Sequence, residues 1–270
     1  MKHLHRLVAT IVLTGIFSLQ AAAQDATLRF SLSGQPVSEL SVSEIGERVD
    51  AEEIQFYNYL MGREKSYRAF PVSDLLDSVY GDQWRSPDYS DVAFTALDGY
   101  EAVSELATLT QDGGYLAFED LDWETGWEPI GRKQSDPGPF FLVWTGGEQT
   151  TANAYPWPWQ VARINVLRFA DQYPAVVPDV AESTPVWRGF ETYRYRCLRC
   201  HAMDQQGGKI GPDLNAPQSI TAYRSEQMIK EFIRHPSKYR YTQMPDHPDL
   251  SEGDLDDLYR YLKHQARPQQ

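Results

Sequence analysis

Cys197-Leu198-Arg199-Cys200-His201 holds both cysteines of a 270-residue chain, and a histidine follows the second directly. In an exported chain this spacing is that of a c-type haem attachment site: two thiols bond the porphyrin vinyl groups and an imidazole ligates iron. On a helical turn, positions 197, 200 and 201 stand at i, i+3 and i+4, so one turn presents both sulfurs and the ring nitrogen to a flat macrocycle. Other uses of the pair fit less well. A structural zinc site needs about two more Cys or His ligands, and no third cysteine exists. A thioredoxin-like pair opens a helix after a strand and needs no histidine, whereas this pair closes a helix. A plain disulfide is the remaining reading. The expected cofactor is one covalently bound haem c, held by Cys197, Cys200 and His201.

The compartment agrees with that chemistry. Lys2 and Arg6 precede an apolar run from Leu7 to Leu19, and Ala21-Ala22-Ala23 supplies small residues for cleavage. Residues 1–23 therefore read as a secretory signal peptide, with a retained signal anchor as the alternative. The run is too short for a membrane span, and no later stretch approaches the roughly 20 apolar residues that one requires. The expected address is the bacterial periplasm, with no stable membrane span.

Charge divides the remainder. Residues 24–182 carry 27 acidic and 10 basic side chains, and residues 183–270 carry 11 acidic and 13 basic. Neither half has the positive excess that phosphate binding requires, so a nucleic-acid partner is excluded. Residues 171–182 include Pro174 and Pro178, show no helical or strand period, and read as a linker. The expected units are thus residues 24–170 and 183–270.

In the second unit, Ser183-Thr184-Pro185 offers a capping hydroxyl and an early proline to start a helix. Val186, Phe190, Tyr193 and Cys197 then form an apolar stripe. Ser225 opens a second helix, with Met228, Ile229, Phe232 and Ile233 apolar, which ends at His235 because Pro236 disfavours helical geometry there. Ser251 opens the last helix with Asp254 in the capping-box position, followed by a stripe of Leu255, Leu258 and Leu262.

These helices, with Gly211-Pro212-Asp213-Leu214 after the cysteines and Met244-Pro245 before the last helix, resemble a class I cytochrome c over residues 183–265. The resemblance implies an all-α fold in which the cysteine-bearing helix crosses the C-terminal helix at Gly189 and Phe190. It also implies that His201 is the proximal iron ligand and that the Pro212 carbonyl accepts its other N–H.

For the sixth iron ligand, Met1 leaves with the signal peptide and Met61 lies in the other unit. Met203 follows His201 too closely to reach the opposite haem face, and Met228 belongs to a helix stripe. Met244 remains, on a polar segment where Pro245 favours extended backbone; a methionine filling a gap beside the porphyrin is the plainer reading. His235, His247 and His264 are the rival ligands, with His247 on the same loop. Two protein ligands leave no open iron position, and a His/Met pair raises the reduction potential, which suits electron carriage. Arg194, Arg196, Arg199, Lys209, Arg234, Lys238 and Arg240 place positive charge around the haem segments. They would steer an acidic redox partner protein, dock the acidic first unit, or serve as solvated helix faces.

In the first unit, residues 26–32, 140–144 and 161–169 read as strands, and residues 72–80 and 102–109 as short helices, giving an α+β unit. Residues 67–76, Asp98-Gly99-Tyr100, Gly138-Pro139 and Tyr155-Pro156-Trp157-Pro158-Trp159 are similar to the sulfite-oxidase-type molybdopterin-binding domain. That family binds molybdenum through a cysteine thiolate, which residues 24–182 lack, so no molybdenum is expected and no catalytic residues are assigned. Trp84, Trp123, Trp127, Trp144, Trp157 and Trp159 either fill the core or offer stacking surfaces for a small flat ligand such as a pterin. Asp98 reads as a turn residue.

The reading that follows is a periplasmic monohaem electron carrier whose first unit docks a partner or binds a small ligand. Its alternatives are a haem-linked oxidoreductase, whose first unit binds substrate or cofactor, and a redox sensor.

Overall fold

Along residues 27–32, Leu28 and Phe30 are fully buried while Arg29 points outward, so one face of the strand closes over a core. The computed structural model describes residues 26–131, 133–151 and 155–266. Its first part is built from β1 (Thr27–Leu32), β2 (Gln35–Ser41), β3 (Glu52–Asn58), β4 (Arg63–Pro71), β5 (Asp91–Ala96), β6 (Glu101–Glu105), β7 (Gly114–Asp120), β8 (Phe141–Trp144) and β9 (Val161–Leu167). One sheet has the order β2-β1-β9-β5-β6, with β1 and β9 parallel. The other, β3-β4-β7-β8, is antiparallel. Side chains from both sheets share one apolar core.

Helices here are short: α1 (Val42–Gly46), α2 (Val72–Tyr80), α3 (Leu106–Leu109) and α4 (Phe169–Gln172). The unit is therefore β-rich. Residues 102–109 do not form the single helix expected of them. Gly99, at φ +89°, turns the chain back so that residues 101–105 pair antiparallel with β5. Burial of Ala102, Val103 and Ser104 in that ladder outweighs their helix propensity, and only α3 is helical. Trp84, Trp144 and Trp157 are core residues, whereas Trp123 is exposed.

The second part contains α5 (Pro185–Thr192), the short strands β10 (Ala202–Met203) and β11 (Gln206–Gly207), α6 (Ile220–Tyr223), α7 (Glu226–Arg234) and α8 (Glu252–Gln265). Its helical content is modest, and the β10–β11 hairpin qualifies the all-α expectation. Local signals set the helix ends. Thr184 Oγ1 accepts the Trp187 N–H at 3.2 Å ahead of α5, Ser225 caps α7, and Ser251 and Asp254 form a capping box on α8. Leu258, Tyr261 and Leu262 of α8 pack with Phe190 and Tyr193 in one cluster, and Leu255 is buried. The crossing is close enough that a Cβ on Gly189 would stand 2.0 Å from the Asp257 carbonyl oxygen.

Two expectations change in this region. Met228 is 48% exposed, because Ile229 takes the inward position on α7, so its stripe does not remove it from consideration as the text of the sequence suggested. Residues 171–182, read as a linker, are packed. Tyr173 and Val176 are buried in the second core, and the Tyr261 hydroxyl donates to the Val176 carbonyl at 2.7 Å. Apolar side chains at these positions are worth more buried than as free spacer. Among the described residues, no helix is long and apolar enough to cross a membrane. The expected signal peptide lies outside the described residues.

Candidate functional site

The cysteine pair sits at the end of an irregular helix. After α5 the backbone widens into a π turn over Tyr193–Cys197, where Leu198 N–H donates to Tyr193 O at 2.9 Å. The extra residue in this turn keeps Tyr193 in the core against Tyr261, at a ring separation of 5.2 Å, while the cysteines remain partly accessible. A single helical turn follows. Cys200 N–H and His201 N–H donate to Cys197 O at 3.0 and 2.8 Å, which sets Cys197, Cys200 and His201 on one turn.

A glycine-rich return strand lies against that turn. Gly208 N–H donates to Leu198 O at 2.8 Å and Gly211 N–H to Cys200 O at 2.7 Å. A Cβ on Gly208 would stand 2.3 Å from Arg199 O, and one on Gly211 would stand 2.5 Å from His201 Cε1. Only glycine lets the backbone come this close. The next residue, Pro212, places its carbonyl oxygen 2.8 Å from His201 Nδ1. A carbonyl only accepts, so Nδ1 carries the proton and Nε2 is left as the ligating nitrogen.

Electrostatics suit this use. Burial lowers the pKa of His201, against the raising effect of the Pro212 carbonyl, and holds the ring neutral as a metal ligand requires. Burial pushes the Cys197 thiol up to about 12 and the Cys200 thiol up to about 11, with Arg199 opposing on both. Among the described residues, no group of three or more His, Cys, Asp or Glu is gathered as a metal cluster.

The donor set fits a c-type haem: two thiols and an oriented imidazole on one turn, with the Gly211 backbone packed closely beside the ring. Bound there, an iron porphyrin would supply a one-electron couple.

Met244 lies on a separate loop. Its N–H donates to Thr242 Oγ1 at 3.2 Å, and its side chain is half-buried. His247, on the same loop, is 9% exposed, and its N–H donates to Arg234 O at 3.1 Å. Burial lowers its pKa, followed by the charge of Arg196.

Several of the basic residues are occupied. Arg196 pairs with Asp249 at 2.6 Å and Arg234 with Glu252 at 3.0 Å, while Arg194 pairs with Asp91 of the first unit. The Tyr195 hydroxyl donates to Glu105 Oε1 at 2.6 Å, and the Phe169 and Phe190 rings meet edge to face across the same boundary. The cysteine-bearing helix thus docks on β5 and β6. Sequence reasoning missed Gly207 and Gly208, whose signal is a glycine pair after the cysteines, and it named Arg194 only among the basic residues, without its partner Asp91, 103 residues away.

Residues 185–262 match the family model described as cytochrome C oxidase, cbb3-type, subunit III. No curated protein matches the chain. The matched segment contains the turn described above and supports a cytochrome c domain at this end of the chain. Haem, and electron transfer through it, are the properties that such a domain brings.

Proposed function

We propose that this chain is an exported, periplasmic monohaem electron carrier. Cys197 and Cys200 hold one haem c through thioether bonds, His201 is its proximal ligand supported by the Pro212 carbonyl, and Met244 is its second axial ligand. The first unit, of sulfite-oxidase type and without molybdenum, docks a redox partner protein or binds a small flat ligand such as a pterin. The observation that carries the reading is the 2.8 Å contact between His201 Nδ1 and the Pro212 carbonyl, one turn from both thiols. It fixes the imidazole for ligation, and no protein group in a bare Cys-x-x-Cys pair needs it.

Acid–acetone extraction of the purified chain tests the proposal. The pigment is expected to stay with the protein and to give the pyridine haemochromogen of a doubly thioether-linked haem. Pigment passing into the organic phase would overturn it.

A further inference from the structure

Across the outer face of the five-stranded sheet runs one row of paired positions: Glu39, Arg29, Arg163, Thr95 and Glu101, from β2, β1, β9, β5 and β6 in turn. Arg29 and Arg163 are direct partners in this row, and like charges set side by side repel. Elsewhere in this acidic unit Arg63, Lys65, Arg68, Arg85 and Arg168 each meet a carboxylate. The carboxylates that flank the two arginines are turned to hydroxyls instead. Glu39 Oε1 accepts from Thr27 Oγ1 at 2.9 Å, and Glu101 accepts from Thr95 Oγ1 at 3.2 Å and from the Tyr173 hydroxyl at 2.8 Å. Among the described residues, neither Arg29 nor Arg163 forms an ion pair or a side-chain hydrogen bond.

The two arginines line an open groove of about 440 Å³, together with Ser31, Gly34 and Val37. Asn165, only 7% exposed, stands beside them on β9, paired in the ladder with Ser31. Its Oδ1 accepts from Ser31 Oγ at 2.9 Å and from Gly34 N–H at 3.0 Å, and both of these donors belong to groove residues. A backbone N–H only donates, so the amide oxygen is fixed at this contact, and Nδ2 is left as a donor without an acceptor among the described residues. Two guanidinium forks and one oriented amide thus share a side of the sheet with no protein oxygen to receive them. The strands hold these three positions in register, which is the rigidity a recognition site requires.

We propose that Arg29 and Arg163 form a binding site for a doubly charged tetrahedral oxyanion, either inorganic phosphate or the phosphoryl group of a small phosphomonoester, with Asn165 Nδ2 as a further donor. A planar guanidinium takes two oxygens of such a group at once, and two guanidinium charges match a dianion. A carboxylate carries only one charge and leaves the other arginine unanswered. Val37, 46% exposed, offers the body of an ester an apolar wall. At the far end of the row Glu101 N–H donates to Arg199 O at 3.1 Å, so one hydrogen-bonded sheet joins the anion site to the Cys197–His201 turn. The site goes beyond the haem reading and stands without it.

Isothermal titration calorimetry of the full chain, in a phosphate-free chloride buffer of low ionic strength, tests this with inorganic phosphate, phenyl phosphate and acetate as probes. Saturable binding is expected, and Arg29→Gln and Arg163→Gln should each weaken it by about tenfold or more, as the loss of a charge-assisted pair does. Acetate should bind more weakly than either phosphate, and Arg48→Gln, at an exposed arginine outside the groove, should leave binding unchanged. Binding of both phosphates assigns the free anion as a ligand, and binding of phenyl phosphate alone assigns the phosphoryl group of a larger molecule. The proposal is overturned if neither phosphate binds, if the arginine variants bind undiminished, or if acetate binds as tightly as phosphate. Equal weakening by Arg48→Gln also overturns it, since overall charge would then be the cause. Thermal melting in the same buffer separates binding from folding: relieving the repulsion should leave both arginine variants at least as stable as the unaltered chain. A variant that melts several degrees lower would show that the arginines serve the fold, and the proposal would fall.

Discussion

Asp91, the first residue of β5, and Arg194, on the π turn ahead of Cys197, form an ion pair in which the carboxylate is 1% and the guanidinium 14% exposed. Ser90 Oγ donates to the same carboxylate, and Arg194 lies over the Phe169 ring at 4.5 Å. Burial pushes the Asp91 carboxyl up, with Arg194 and Ser90 opposing. Arg194 Nε is already buried without a partner. Removing the carboxylate would strand the whole guanidinium in a dry junction. Asp91→Ala is expected to cost about 3–5 kcal/mol in urea unfolding, the range for breaking one side of a buried pair. A loss below about 1 kcal/mol would show instead the behaviour of an exposed, screened pair.

Gly211 and His201 constrain each other through space rather than through a bond. A methyl group at position 211 would meet the imidazole at 2.5 Å from Cε1 and 2.7 Å from Nδ1, so the ring or the backbone must move. Either movement breaks the contact with the Pro212 carbonyl. Gly211→Ala is expected to retain thioether-linked haem while the visible spectrum and the midpoint potential change. An unaltered spectrum and potential would show that the ring's orientation does not depend on this approach.

Asp213 gives the site an acid-sensitive support. Burial works to raise its carboxyl pKa, but N–H donors from Ala216, Asn215, Gln205 and Asp204 outweigh burial and hold it below the unfolded value of 3.8. A carboxyl depressed by folding adds stability above its unfolded pKa and loses it as pH falls through the folded pKa. Asp213→Asn is therefore expected to lower stability at pH 7 and to flatten the loss of stability below about pH 4. Urea midpoints measured from pH 7 to pH 2 check this. Parallel curves for the two proteins would remove Asp213 from the acid response.

What the sequence made legible, and what it hid, follows the range of the interactions. The ends of α5, α7 and α8 could be read because a hydroxyl caps N–H groups two or three residues away, as with Ser251 and Asp254. The Cys197–His201 turn was legible for the same reason. Residues 102–105 were misread because Ala102 and Leu106 favour a helix locally, while pairing with β5 depends on the turn at Gly99 and on burial that only the assembled sheet provides. The packing of residues 171–182 was hidden in the same way, since Val176 meets Tyr261 across 85 positions of sequence. The junction of Arg194 with Asp91 and of Glu101 N–H with the Arg199 carbonyl has no sequence period at all. It exists only where two units meet.

The opposite axial position is the point at which the chemistry of the site is decided. Met244 sits on a loop closed by Ser237, whose hydroxyl donates to Asp246 Oδ2 at 2.7 Å, and by His247 N–H on Arg234 O at 3.1 Å. These anchors hold the loop independently of the residue 244 side chain, so Met244→Ala should leave the fold intact. Burial keeps His247 neutral, a state competent to ligate iron, and both residues must be tested together. Reduced Met244→Ala is expected to bind carbon monoxide readily, while the unaltered chain and His247→Ala do not, because two protein ligands leave no open iron position. Carbon monoxide binding by reduced His247→Ala but not by Met244→Ala would transfer the axial role to His247. Equal binding by the unaltered chain and Met244→Ala would mean that the position is open, and a ligand-binding haem would then replace the electron carrier.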